Sequence, residues 1–277
     1  MINSSLQGKW IVVTGGTRGL GKAIGMAFAH AGANVVLTYR WGSVPPEEVR
    51  EEFRCAGFIE PKIVECDVSD AESIEQTIQD LARQQIQVHA LISNVAFSKP
   101  IQSIDGYKLN SLHLSMKYSV FPVVEWVKMV HRHMGCYPRY VTAISSDGAT
   151  LSLPGYDLVG ISKAALESMC RYLAVRLKPA GVRVNVISAG YFDSASAREV
   201  FGDALMELAK AKGLLVDPAD LANVCVALSS GLLDVITGQV IVADEGWSLF
   251  SPFSLVTGAG VTEGFPREKE TDECCQP

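Results

Sequence analysis

Short β-branched runs alternate with longer helical patterns along this chain, and that order is the feature that most constrains its fold. Such alternation is typical of βαβ units, in which parallel strands form one sheet buried on both faces. The predicted helices are 20–31, 46–56, 70–84, 110–133, 159–178 and 218–230. The predicted strands are 10–13, 34–39, 62–66, 88–92, 140–144, 183–187 and 239–242. The pattern therefore predicts an α/β fold with a doubly wound, seven-stranded parallel sheet and helices on both faces.

A glycine-rich turn follows the first predicted strand and leads into an apolar helix. Glycines let the backbone turn tightly and approach a pyrophosphate, which the amide groups and the positive end of the helix then stabilise. The turn predicts a single-domain Rossmann fold that binds a dinucleotide, although its G-x-x-x-G-x-G spacing differs from the usual fingerprint. The predicted contacts are Gly15, Thr17, Arg18, Gly19, Leu20 and Gly21.

This spacing resembles the short-chain dehydrogenase/reductase family, and the similarity extends from about Gly8 to Trp247. Asp67 matches the family's aspartate that binds the adenine amino group, and Asn94 matches part of the family's Asn-Asn-Ala-Gly segment. The resemblance implies that these further residues contact a nicotinamide cofactor: Val68, Ala96, Gly190 and Phe192.

The residues at the end of the second strand indicate which nicotinamide cofactor is bound. An acidic residue there would bind a ribose hydroxyl and repel a 2′-phosphate, whereas an arginine pairs with that phosphate. This chain has Tyr39 and Arg40 at that position, and Arg18 in the glycine turn can reach the same side. We therefore predict NADPH, with the alternative that Arg40 is only a solvated surface charge.

The catalytic motif departs from the common family pattern. Most members have a tyrosine four residues before the lysine, but here position 159 is valine and Tyr156 precedes Lys163 by seven residues. Residues four apart and residues seven apart on a helix both lie near one face. The separation along the helix axis grows from about 6 Å to about 10.5 Å between these two spacings. A displaced tyrosine suits hydride addition at the β-carbon of an enoyl thioester, where negative charge gathers on the distant carbonyl oxygen.

Tyr-x6-Lys is also the pattern of the enoyl-acyl-carrier-protein reductases, which the central block 163–190 resembles. The resemblance implies that Lys163 holds the nicotinamide ribose, Tyr156 stabilises the enolate and Ser146 polarises the carbonyl. Ser115 stands where the wider family has an asparagine, as in those reductases. Many of them have a second tyrosine where this chain has Ser146, but one NADPH-dependent subgroup also lacks it. Tyr191 replaces a usual proline.

Three functions remain open at this stage. The first is an NADPH-dependent enoyl-thioester reductase acting on an acyl chain carried by an acyl carrier protein or coenzyme A. The second is a ketoreductase of fatty-acid, polyketide or other secondary metabolism, and the third is an NADPH-binding sensor without turnover. The apolar residues Phe192, Phe201, Leu205, Met206 and Leu208 could form a substrate lid or pack against another subunit. Family resemblance implies a homotetramer or homodimer.

Composition limits the remaining classes. The 277 residues are 48% hydrophobic and 19% charged, which excludes a disordered chain, and the net charge of −6 argues against nucleic-acid binding. No signal peptide or apolar run long enough to span a membrane is present in the sequence, so we expect a cytoplasmic protein. His113, His131 and His133 are interpreted as surface or packing residues, and no metal site is predicted. Residues 1–250 are expected to form one domain, and 251–277 a poorly ordered tail.

Overall fold

A computed structural model describes residues 5–40 and 44–249 of the chain. The predicted tail, 251–277, lies outside the described residues, so the domain boundary at 250 stays a prediction. The strands are β1 (Trp10–Val13), β2 (Asn34–Tyr39), β3 (Lys62–Glu65), β4 (Val88–Ser93), β5 (Tyr140–Ser146), β6 (Arg183–Ala189) and β7 (Val240–Ala243). They form one sheet in the order β3-β2-β1-β4-β5-β6-β7, and all pairs are parallel. The seven-stranded Rossmann fold is confirmed.

Nine α-helices are described, most of them in the predicted connections. Their bounds are α1 (Gly19–His30), α2 (Pro46–Cys55), α3 (Ala71–Arg83), α4 (Leu109–Ser119), α5 (Phe121–Met134), α6 (Asp157–Leu177), α7 (Ala195–Phe201), α8 (Asp203–Ala211) and α9 (Pro218–Ser229). The Asp70 side chain accepts a hydrogen bond from the amide of Glu72, and Asp217 accepts one from Ala219. Such N-caps satisfy amide groups that have no partner inside the helix, which is why these two helices begin where they do.

Two helical predictions were wrong in their extent, and two helices were not predicted. The single helix predicted over 110–133 is two helices, because Pro122 has no amide hydrogen to continue the bonding pattern across the junction at Val120. The sixth helix begins at Asp157, two residues earlier than predicted, so Tyr156 immediately precedes it. The segment considered as a lid folds into α7 and α8, which the sequence pattern did not predict.

Two hydrophobic layers enclose the sheet. On β1, Ile11 and Val13 pack into one layer and Val12 into the other, as the alternation of strand side chains requires. The first layer is built with α1 and α9, and the second with α3, α5 and α6. Ile74, Ile78 and Leu81 of α3 are buried in the second layer. This packing fixes the carboxyl ends of the strands at one edge, where the order reverses between β1 and β4 and where open α/β sheets bind ligands.

Within the part of the chain that the structure describes, no helix is suited to crossing a membrane. The longest, α6, has 21 residues but carries five charged side chains: Asp157, Lys163, Glu167, Arg171 and Arg176.

Candidate active site

A cavity of about 490 Å³ opens at the carboxyl edge of the sheet. Its wall combines the glycine turn, the ends of β2, β4, β5 and β6, and the segment leading through α7. Most of the residues predicted to bind cofactor or substrate line it: Gly15, Thr17, Arg18, Gly19, Leu20, Gly21, Tyr39, Arg40, Val68, Asn94, Ala96, Ser146, Tyr156, Lys163, Gly190 and Phe192. The fold therefore brings together residues that are as far apart in sequence as 15 and 192.

The glycine turn has the shape of an anion cradle. Gly15 and Gly19 adopt left-handed conformations, with φ of 64° and 51°. A β-carbon on Gly21 would lie 2.2 Å from the Gly15 carbonyl oxygen, so the helix start can approach the turn this closely only with glycine. Gly19, Leu20 and Gly21, which form the first turn of α1, line the cavity. These residues fit the pyrophosphate of a dinucleotide.

Asn94 has a structural part in this cradle. Its side-chain amide donates to the Thr14 carbonyl at 3.0 Å, and its backbone amide donates to the Thr14 hydroxyl at 2.9 Å. These bonds tie the end of β4 to the end of β1. Asn94 thus holds the glycine turn in place while also lining the cavity.

Two acidic residues lie beside Arg40 at the end of β2. The parallel register sets Tyr39 beside Glu65 on β3, and the Arg40 guanidinium pairs with the Glu65 carboxylate. It also lies 3.8 Å from Asp67. Asp67 accepts hydrogen bonds from the amide and hydroxyl of Ser69, at 2.9 and 2.7 Å, and is not among the described residues that line the cavity. Its chain neighbours Cys66 and Val68 do line the cavity, and the role of Asp67 toward a cofactor stays a prediction.

Tyr156 and Ser146 meet inside the cavity. The Ser146 hydroxyl donates to the phenol oxygen of Tyr156 at 3.2 Å, which leaves the phenol hydrogen for another acceptor. Burial, more than any other cause, raises the pKa of Tyr156. A β-carbon on Gly148 would lie 2.5 Å from the tyrosine ring, so glycine is required for the ring to occupy this position. Ser146 and Tyr156 thus present a neutral hydrogen-bond donor to the cavity.

Lys163 lies in the second turn of α6 and is almost completely buried, with 4% of its surface exposed. Its ammonium group donates to the Ile144 carbonyl at 2.6 Å. Burial lowers its pKa to about 8, against the opposing attraction of Glu167. Glu167 is itself buried and accepts a hydrogen bond from Ser145 at 2.7 Å. We did not single out Glu167 from the sequence, where only its position one helical turn after Lys163 could have drawn attention to it.

Ser115, which replaces the family's usual asparagine, supports the start of α6. Its hydroxyl is fully buried and donates to the Leu158 carbonyl at 2.9 Å. That carbonyl lies in the first turn of α6, two residues after Tyr156. The bond therefore links α4 to the start of α6, which Tyr156 immediately precedes.

An aromatic wall closes the substrate end of the cavity. The Phe201 ring stacks on Tyr156, with 5.7 Å between ring centroids and an interplanar angle of 21°. Tyr191 meets Phe201 edge-on at 6.0 Å, and its pKa is raised by burial and by Asp147. Phe192 and Phe201 line the cavity. The other candidate lid residues lie elsewhere: Met206 is buried, whereas Leu205 and Leu208 are half exposed on α8.

The predicted packing role of the helix histidines agrees with their contacts. Nε2 of His133 lies 2.8 Å from a Glu75 carboxylate oxygen on the neighbouring helix. His131 stacks on Tyr137, with ring centroids 4.0 Å apart. His113 is exposed.

Comparison with known proteins finds a family and individual proteins that are similar to this chain. Residues 15–248 match a family model described as enoyl-(acyl carrier protein) reductase. Enoyl-acyl-carrier-protein reductase (NADH) FabI of Aquifex aeolicus is 28% identical over 258 residues, covering 90% of this chain and 94% of that protein. The 1-cyclohexenylcarbonyl-CoA reductase of Streptomyces collinus is 29% identical over 252 residues, covering 87% of each chain.

A solved structure is similar over the same span. The Bacillus cereus enoyl-acyl carrier protein reductase, crystallised with NADP+ and indole naphthyridinone, superposes with a TM-score of 0.74 at 25% identity. The match covers 89% of this chain and 98% of the Bacillus cereus chain. The names of these similar proteins thus include both forms of the nicotinamide cofactor and both carriers of a thioester.

Proposed function

The chain belongs to the enoyl-(acyl carrier protein) reductase family of short-chain dehydrogenases/reductases, and we propose that it reduces the carbon–carbon double bond of an enoyl thioester with NADPH. It is an oxidoreductase with a nicotinamide-cofactor fold. The observation that carries the proposal is the neutral phenol of Tyr156, held at 3.2 Å by Ser146 in the cavity that Lys163 also lines.

The chemistry follows from the protonation of these groups. A bound nicotinamide would supply hydride to the β-carbon of an enoyl thioester, and the resulting enolate would take a proton from solvent at its α-carbon. Tyr156 then donates a hydrogen bond to the enolate oxygen, and its raised pKa keeps the phenol proton in place as charge develops there. A ketone substrate would need that proton to be transferred outright to the alkoxide, whereas the enolate needs only the hydrogen bond. Lys163 adds a buried positive charge that lowers the cost of the nearby anion.

The choice of NADPH depends on Arg18 and Arg40, which line the cavity beside Tyr39. A 2′-phosphate bound there would compete with Glu65 for the Arg40 guanidinium. Arg18→Ala and Arg40→Ala should therefore raise KM for NADPH far more than KM for NADH. Glu65→Gln should do the opposite, because it removes the competing carboxylate. Equal changes in both KM values would contradict the NADPH assignment and leave the enoyl reduction intact.

The carrier of the acyl group can be coenzyme A or an acyl carrier protein. A basic patch at the lid would favour the acidic carrier protein, but Arg198 on α7 is paired with three carboxylates: Asp193, Asp203 and Glu207. Comparing KM for crotonyl-coenzyme A with KM for the same acyl group on a carrier protein distinguishes the two. The proposed assembly, a homotetramer or homodimer, is checked by light scattering.

The decisive experiment follows NADPH absorbance with purified protein. Crotonyl thioester should be reduced, and acetoacetyl thioester should not. Tyr156→Phe should lower kcat by about 10²-fold or more, since donation to a developing oxyanion is worth that much elsewhere. Tyr172→Phe is the matched control, because Tyr172 lies on α6 but is 69% exposed.

Two results would overturn the proposal. Reduction of the acetoacetyl substrate alone would establish a ketoreductase. Tight NADPH binding with neither substrate reduced, and no effect of Tyr156→Phe, would establish a cofactor-binding sensor.

A further inference from the structure

Three consecutive residues at the end of β5 each hold a different group of the site. The Ile144 carbonyl accepts from Lys163 at 2.6 Å, and the Ser146 hydroxyl donates to Tyr156 at 3.2 Å. Between them, the Ser145 hydroxyl donates to Glu167 at 2.7 Å. The proposed reaction uses Tyr156, Lys163 and Ser146, whereas Glu167 has no part in it so far.

Glu167 is a costly residue at this position. Its side chain is 7% exposed, and an ionised carboxylate is rarely buried unless a charge or several hydrogen bonds compensate. Glu167 follows Lys163 by four residues on α6, so the two side chains are neighbours on one face of the helix. Lys163 is equally buried and equally costly alone. The carboxylate of Glu167 is the nearby charge that most favours the Lys163 cation.

Two hydrogen bonds of opposite direction join α6 to β5 at this pair. Lys163 on the helix donates to the strand, and Ser145 on the strand donates to Glu167 on the helix. Because the two bonds involve adjacent strand residues, they fix both the height and the rotation of α6 against β5. Ser146, the next residue, is thereby held in place beside Tyr156.

We infer that Glu167 is a positioning residue for the proposed reaction, acting as the buried counter-charge of Lys163 and as the anchor that aligns β5 with α6. This inference rests on the proposed function only in assigning Lys163 to the cofactor. Its two components are separable: the charge acts on the protonation of Lys163, and the hydrogen bond to Ser145 acts on the alignment of Ser146.

Other groups near Lys163 do not replace this charge. Besides Glu167, the group whose charge favours the Lys163 cation is the Cys170 thiol on the same helix. Burial raises the pKa of Cys170 to about 12, so the thiol is neutral at ordinary pH. From the elements packed against α6, Asp147 and Tyr156 lie in the same cavity, and Tyr118 on α4 lines it as well. Asp147 is the carboxylate among these, and its charge acts on Tyr156 and Tyr191.

The test measures NADPH affinity against pH by fluorescence, without any acyl substrate. In the unaltered protein the affinity should fall above about pH 8, as Lys163 loses its proton. Glu167→Gln keeps an acceptor for Ser145 but removes the charge, and it should move this fall to lower pH by about one unit. Glu48→Gln, the same change at an exposed position on α2, should leave it in place.

The anchoring component is tested by Ser145→Ala. This variant should lower kcat severalfold while leaving the pH of the affinity fall nearly unchanged, because the carboxylate is still present. Ser162→Ala is the matched control: Ser162 is equally buried on α6, but its hydroxyl bonds locally to the Val159 carbonyl. A role in packing alone would make the two serine variants indistinguishable.

An unchanged affinity profile in Glu167→Gln, or an equal shift in Glu48→Gln, would overturn the inference. If Glu167→Gln fails to fold, Glu167→Asp tests the same role. This variant keeps the charge, so the fall in NADPH affinity should stay near pH 8. A fall displaced to lower pH in a folded Glu167→Asp protein would contradict the counter-charge role. Because the readout needs no acyl substrate, its outcome is independent of whether crotonyl thioester is reduced.

Discussion

Burying Lys163 makes the stability of the folded chain depend on pH in a way that can be calculated. Its pKa is lowered from 10.5 to about 8, chiefly by burial. Each pH unit between the folded and unfolded pKa values corresponds to about 1.36 kcal/mol, so the charged lysine costs the folded state about 3 kcal/mol. We expect that Lys163→Met, which replaces the ammonium group with an apolar chain of similar length, removes this dependence.

The direction of the effect follows from proton binding. Between pH 8 and pH 10.5 the unfolded chain holds a proton on Lys163 that the folded chain has released. Stability contributed by this group therefore rises with pH through that window, and it is lost as pH falls through 8. The free energy of unfolding of the unaltered protein minus that of Lys163→Met should increase by about 2 to 3 kcal/mol between pH 7 and pH 10.

Urea denaturation of both proteins at half-unit pH intervals measures this difference. Groups elsewhere that titrate at alkaline pH, such as the buried thiol of Cys225, contribute equally to both proteins and cancel. A difference that stays constant within about 0.5 kcal/mol, or decreases with pH, would refute the assignment of a buried, cationic Lys163. The Lys163→Met protein should also bind NADPH weakly, which would show that the protein keeps the costly cation for its cofactor.

Three further substitutions test the site. Gly21→Ala brings a β-carbon to 2.2 Å from the Gly15 carbonyl, and it should raise the dissociation constant for NADPH by at least about tenfold in a fluorescence titration. Phe201→Ala removes the ring stacked on Tyr156, and it should raise KM for the acyl thioester about 2- to 10-fold in steady-state assays. Ser115→Ala removes the hydrogen bond that joins α4 to the first turn of α6, and it should lower stability by about 0.5 to 1.5 kcal/mol by urea denaturation, with a smaller effect on cofactor affinity.

Features that depend on local sequence were predictable. Each strand of β-branched residues was found within two residues of its observed ends, and the helices predicted over 70–84 and 218–230 begin within one residue of the observed ones. The glycine turn was predictable because left-handed backbone and close approach both require glycine. These signals are contained in segments of fewer than about twenty residues, so a single sequence shows them.

Features that depend on contacts between distant segments were not predictable. Nothing near Tyr156 in the sequence indicates that Phe201 will stack on it, because the two residues belong to segments that are far apart in the chain. Nothing near Lys163 in the sequence indicates that the Ser145 hydroxyl donates a hydrogen bond to the buried carboxylate of Glu167. The polar residues on the buried face of the 21-residue helix α6 cannot be told apart by their spacing in the sequence. Only the packing of β5 against this helix shows which of them lie in the site.

The prediction of NADPH from the sequence depends on the positive charge of Arg40. Arg40 was predicted to bind a 2′-phosphate from its position at the end of β2. The parallel register pairs Tyr39 with Glu65, so a carboxylate of the next strand is positioned beside the arginine. An exposed ion pair of this kind is worth about 1 kcal/mol or less, whereas a bidentate phosphate contact is a stronger interaction. A 2′-phosphate should therefore displace Glu65, and the carboxylate would reduce the preference for NADPH without reversing it.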